Sequence, residues 1–113
     1  MGNRRRFVRV RARLRFTFAW DEQFELYTVE DVCASGVLVR RTEAPLTLPA
    51  LGAVGECAFA IDASEVRTQA RVVRLTRDGF AVRFLGLSRT TEDTLVAWVF
   101  RREAQALAGR MPA

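Results

Sequence analysis

Arg4, Arg5, Arg6, Arg9, Arg11, Arg13 and Arg15 crowd into thirteen positions, residues 4–16, with no acid and no lysine among them. The planar fork of an arginine suits phosphate oxygens and base edges, and its flat face stacks on rings. Further along, "EDVCASGVLVR" breaks the periodicity between two strand-like runs. Asp31 in that segment can accept two hydrogen bonds from adjacent N–H donors, such as N1 and N2 of a guanine edge. Gly36 suits a backbone that needs positive φ or that a ligand must approach closely. Arginine also matches the O6/N7 edge of guanine. Arginines, a carboxylate and a glycine-containing turn together describe a site for a guanine nucleotide, without catalysis.

The remaining composition narrows the chemistry. The chain of 113 residues contains no histidine, which removes Ser-His-Asp and Cys-His catalysis and most zinc and iron sites. The acids are single or fall in pairs, Asp21-Glu22, Glu30-Asp31 and Glu92-Asp93, that read as turns and caps. The pattern points away from an enzyme. Cys33 and Cys57 make neither a disulfide framework nor a metal cluster. The net charge of +5 comes from arginine alone, and seven of the eighteen arginines precede residue 16. Such asymmetry suggests an anionic partner. The start, Met1-Gly2-Asn3-Arg4, has no apolar stretch behind it, and no run is long enough to span a membrane. A cytoplasmic protein with reduced thiols is the expectation.

These residues need elements to hold them. Between Val10 and Trp20 the even positions are apolar and the odd ones are mostly arginine, the alternation of a half-buried strand. Asp21-Glu22 reads as a turn and residues 23–30 as a second strand, followed by the break at 31–36. Residues 37–41 form a short strand, and "TEAPLTLPALG" is a loop. Cys57, Phe59 and Ile61 alternate on another strand, and a turn at residues 62–64 leads into a long one, 66–76. Asp78-Gly79 is a hairpin signal before Phe80, Val82 and Phe84. After Leu87 the period changes. Ser88 or Thr90 can cap a helix whose apolar stripe is Val96, Val99, Phe100, Ala104 and Leu107, with Gly109 and Pro112 at its end. The expected fold is mostly β: a small six- or seven-stranded antiparallel β-barrel with a C-terminal α-helix. One domain covers residues 1–113, divided into a flexible N-terminal switch segment (1–10), the barrel (11–87) and the helix (88–108).

The two motifs together carry a family resemblance. Arg5-Arg6-Phe7-Val8-Arg9 matches R-x-x-x-R just ahead of the first strand, and Asp31-Val32-Cys33-Ala34-Ser35-Gly36 matches [D/N]-x-S-x-x-G, except that cysteine replaces serine at 33. The later "ARVVRLTRDGFAVRFLGLS" is similar to the closing hairpin of the same family. The chain resembles a stand-alone PilZ domain, the bacterial receptor module for cyclic di-GMP. The resemblance implies that Arg5 and Arg9 grip phosphates and guanine edges, and that Asp31 and Gly36 lie on the barrel surface with Asp31 reading a guanine. It implies cyclic di-GMP as ligand, no cofactor and no metal, and a downstream protein partner. Arg4, just before the first motif, resembles the version of the family that holds a stacked pair of ligands on each chain.

Two other readings stand beside it. The Cys33 departure fits a PilZ-like interaction module that has lost its ligand. The arginine stripe fits a small basic barrel that binds nucleic acid, although only Phe7 stands out as an exposed stacking aromatic. Arg11, Arg13 and Arg15 fall outside the motif and read as a solvated strand face.

Overall fold

The computed structural model describes residues 9–42 and 48–110. Seven strands precede one helix: β1 (Val10–Arg11), β2 (Arg15–Trp20), β3 (Gln23–Cys33), β4 (Gly36–Arg41), β5 (Val54–Ile61), β6 (Ser64–Leu75), β7 (Gly79–Leu85) and α1 (Arg89–Arg110). Six of the strands, in the spatial order β2-β3-β4-β7-β6-β5, close into an antiparallel barrel when β5 pairs back onto β2. β1 adds a seventh strand alongside β3. The closed ring leaves few backbone groups on an open edge. Arg4 and Arg5, most of the expected switch segment, part of the 42–52 loop and Pro112 lie outside the described residues.

Alternation in sequence becomes inside and outside in space. Phe16, Phe18 and Trp20 of β2 point inward and are buried. Tyr27 meets Phe80 edge-on at 4.9 Å between ring centres, and Phe18 lies 5.7 Å from Phe80. Such rings dominate a small core, and truncating one to alanine typically costs about 3–5 kcal/mol. Burial, and secondarily the charge of Glu25, pushes the Tyr27 hydroxyl well above the ordinary phenol range.

Three expectations need correction. The run from Val10 to Trp20 is two strands rather than one. Arg11 pairs with Asp31 and Arg15 with Thr28, so residues 12–14 must face only residues 29–30 of β3. The extra residue breaks the ladder, yet Val10, Ala12, Phe16 and Phe18 stay buried, so the alternation outlives the pairing. The second strand does not end at Glu30; β3 runs on through Cys33, and the turn is only Ala34-Ser35. The helix buries Leu95, Trp98 and Val99, whereas Phe100 and Leu107 of the expected stripe are 37% and 54% exposed. Here α1 packs against β1 and β3, and beyond Val99 its side chains border an open recess beside β1 instead of the core.

Local signals hold well elsewhere. Asp21 and Glu22 both have positive φ, 44° and 63°, the geometry that lets a two-residue turn follow the twist of its strands. Ser88 rather than Thr90 caps α1: its Oγ accepts the Thr91 N–H at 3.1 Å. Among the described residues, no helix is long and apolar enough to cross a membrane.

Candidate functional site

The D-x-C-x-x-G segment is a tight hairpin between β3 and β4. Cys33 and Gly36 face each other across Ala34-Ser35. The Cys33 thiol donates to the Gly36 carbonyl at 3.4 Å and lies 3.3 Å from Ser35 Oγ. The Ser35 carbonyl accepts the Phe84 N–H at 2.8 Å, tying the turn to β7. Gly36 is not in the positive-φ region. A Cβ built on it would overlap the carbonyl oxygen of Val82 and stand 3.1 Å from the carbonyl carbon. The close approach that demands glycine is therefore that of β7, a neighbouring strand.

A bulge aims Asp31. Val29 pairs with Val39 and Asp31 with Leu38, so Glu30 is the extra residue in β3. Before the bulge the odd residues Tyr27 and Val29 are buried; after it the even residues Val32 and Ala34 are. Without the bulge the Asp31 carboxylate would point into the core, where an unpaired charge is strongly disfavoured. A second bulge does the same on β6. Val72 pairs with Val82 and Arg74 with Ala81, leaving Val73 extra and turning Arg74 outward.

Register then assembles one surface from five strands. The residues Val10, Val32, Val37, Val82 and Val72 pair in a single row across β1, β3, β4, β7 and β6, all buried. On either side of that row the side chains face out. One outer row reads Arg11, Asp31, Leu38, Ala81, Arg74; the other reads Cys33, Gly36, Arg83, Arg71. Between them lies a groove of about 370 Å³ lined by Arg9, Asp31, Cys33, Ser35, Gly36, Leu38, Val73, Arg74, Ala81 and Arg83 among others. A wider recess of about 740 Å³ joins Arg9, Arg11 and Asp31 to Arg102, Glu103 and Leu107 of α1. There Arg102 donates to the Arg11 carbonyl at 3.3 Å and lies over the Trp98 ring at 5.4 Å.

Of the residues singled out from sequence, Arg9, Asp31, Cys33 and Gly36 share the groove; Arg4 and Arg5 lie outside the described residues. Arg74 and Arg83 also line it and were missed. Alternation with Val82 and Phe84 already sets Arg83 on an outer face. Arg74 carried no such signal, because only the Val73 bulge turns it outward. Among the described residues Arg9, Asp31, Arg74 and Arg83 form no ion pair; the salt bridges there belong to Arg40, Arg67 and Arg101. The groove offers guanidinium forks, one carboxylate and an apolar floor.

The two thiols differ sharply. Cys57 is fully buried, and burial pushes its thiol up to about 12, with the Glu56 charge adding to the shift and hydrogen bonds to the backbone opposing it. Unfolding would return it to the ordinary range, so this group favours the folded state below about pH 9 and stops doing so as pH rises towards 12. Cys33 is only partly buried. At pH 8, Ellman's reagent should titrate one thiol in the native protein and both in denaturant, and the alkylated peptide should contain Cys33. Rapid native labelling of Cys57 would contradict the packing described above.

Comparison with known proteins agrees with this architecture. A family model described as "PilZ domain" matches residues 3–101. No curated protein matches the chain. Among solved structures, the PilZ domain of YcgR from Escherichia coli, solved with cyclic di-GMP, superposes with a TM-score of 0.71 at 18% identity, covering 96% of this chain and 100% of that one. The inhibitor of motility MotI/DgrA from Bacillus subtilis gives 0.73 at 16% identity over 87% of this chain, which spans only 50% of that protein. The PilZ domain of CeSA from a cellulose-synthesizing bacterium gives 0.62 at 19% identity, covering 84% of this chain and 97% of that one. At these identities the superpositions speak for the fold, and the family model supplies the membership: a closed six-stranded barrel with an added strand and a C-terminal helix, matched along most of its length, belongs to the PilZ domain family.

Proposed function

We propose that this domain is a cyclic di-GMP receptor without catalytic activity of its own, which passes ligand occupancy on to a protein partner. The observation that carries the reading is the single outer groove in which Arg9, Asp31, Cys33 and Gly36 converge. A similar fold, the YcgR domain, has been solved with cyclic di-GMP, which supports the same ligand here. Arg5 and Arg9 clamp phosphates and guanine edges from the N-terminal side. Asp31 accepts the N1 and N2 hydrogens of one guanine. Leu38, Val73 and Ala81 lie beneath the base faces. Closing of the N-terminal segment over the ligand is the change that a partner protein reads.

Calorimetric titration with cyclic di-GMP tests the reading directly. Binding is expected, with an equivalence point at two ligands per chain, because Arg4 together with Arg5, Arg6 and Arg9 can offset the charge of a stacked pair. Arg4→Leu should bring the count to one. Absence of heat and of competition by the dinucleotide would leave a PilZ interaction module without ligand. A wild-type equivalence point of one would remove the role given to Arg4.

Asp31→Ala should lose discrimination between bases more than affinity for phosphate. Its carboxylate can accept from the N1 and N2 hydrogens of guanine, whereas adenine offers a different edge. The ratio of affinities for cyclic di-GMP and cyclic di-AMP should fall by about tenfold or more, as expected for losing hydrogen bonds to a charged acceptor. A variant that rejects cyclic di-AMP as firmly as the wild type sinks this role.

A further inference from the structure

We infer that Arg74 and Arg83, from β6 and β7, form a phosphate-binding wall opposite Asp31, so that the groove takes a dinucleotide along its width. This rests on the nucleotide reading above and names binding residues that neither motif contains. Three strand spacings of about 4.8 Å separate β3 from β6, roughly 14 Å along the barrel wall. Asp31 stands at one end of its outer row and Arg74 at the other, with Leu38 and Ala81 between. In the adjacent row Arg83 pairs with Gly36 and lines the same groove.

Charge decides the assignment. The Asp31 carboxylate suits the N–H donors of a guanine and leaves phosphates to the flanking arginines, Arg9 on the N-terminal side and Arg74 and Arg83 at the far wall. Arg74 and Arg83 are exposed and, among the described residues, have no carboxylate within ion-pair distance. Arg71, the cross-strand partner of Arg83, adds positive charge to the same wall. Arg67, on the same β6, is already engaged, 3.0 Å from Glu56 and 3.2 Å from Glu65, whereas Arg74 and Arg83, like Arg13 and Arg15, have no ion pair among the described residues. An anion seated on this wall would gain two guanidinium forks that no acid among the described residues claims. The floor between the two ends, Leu38, Ala81 and the 49% exposed Val73, is apolar and suits the face of a base. A base at Asp31 and a phosphate at the far wall are the two ends of one ligand.

The test is calorimetry with cyclic di-GMP on the full chain and its Arg74→Ala, Arg83→Ala and doubly substituted forms, with Arg15→Ala on the outer face of β2 as a control for charge alone. Each single change should weaken binding by about tenfold, and the double change by more, while Arg15→Ala stays within about twofold of wild type. Arg83→Lys should recover only part of the loss, because lysine keeps the charge without the fork. Thermal melts of all forms should coincide, since the replaced side chains are exposed. Wild-type binding that survives the double substitution overturns this wall alone. An equal loss in Arg15→Ala replaces the wall with diffuse attraction. Failure of the wild type to bind removes the nucleotide reading and the wall together.

Discussion

Gly36→Ala should destabilise the barrel by about 1–3 kcal/mol or more, the range for forcing an extra methyl into a packed backbone contact. The added Cβ would overlap the Val82 carbonyl oxygen, which belongs to the backbone of β7 and cannot rotate away. β4 and β7 would have to separate where Gly36 pairs with Arg83 and Val37 with Val82. The Phe84 N–H bond to the Ser35 carbonyl lies beside the same point. The urea midpoint should therefore drop while the slope of the transition is retained. The same reasoning covers Gly79, where a Cβ would overlap the Val39 carbonyl oxygen. A Gly36→Ala protein as stable as wild type, but unable to bind cyclic di-GMP, would show that the glycine serves the ligand rather than the sheet.

Arg9→Ala should leave stability unchanged and weaken cyclic di-GMP by about 1.5–3 kcal/mol, the scale for hydrogen bonds to a charged group. Arg9 is exposed, has no ion pair among the described residues, and stands where the groove and the recess beside α1 meet. Nothing in the folded barrel depends on its side chain. Arg13 provides the comparison. It is also exposed but borders neither the groove nor that recess; it lines a smaller depression with Glu30 and Arg40. Arg13→Ala should change affinity little. Equal losses at both positions would mean that the arginine-rich segment attracts anions by summed charge, and binding should then fall steeply with salt and extend to single-stranded DNA.

How far local patterns reach is clearest in β3. The alternation of Tyr27 and Val29 marks a strand, and the change of parity after Val29 reads as a break in periodicity. The same parity change is what a one-residue bulge produces, and only the pairing of Asp31 with Leu38 distinguishes a bulge from a loop. Sequence therefore grouped Asp31, Cys33 and Gly36, which do line one groove, while misjudging the backbone that carries them. Gly36 shows the same limit. Its type signals a tight spot, but the atom it must avoid lies on β7, far along the chain.

From sequence alone, the β-rich barrel with a terminal helix, its turns and its two motifs were determined, because each is encoded between neighbours. Side-chain period, turn residues and caps all act over a few positions. Tertiary structure decided which outer faces meet. Pairing of β4 with β7 and the bulges at Glu30 and Val73 set Arg74 and Arg83 across one groove from Asp31. It also decided which turn of α1 is buried, since Leu95 and Trp98 join the core whereas Leu107 lines the open recess beside β1. Period tells which residues share a face of one strand or helix. Which face lies beside it depends on register and closure, and those are set by the packing of the whole core.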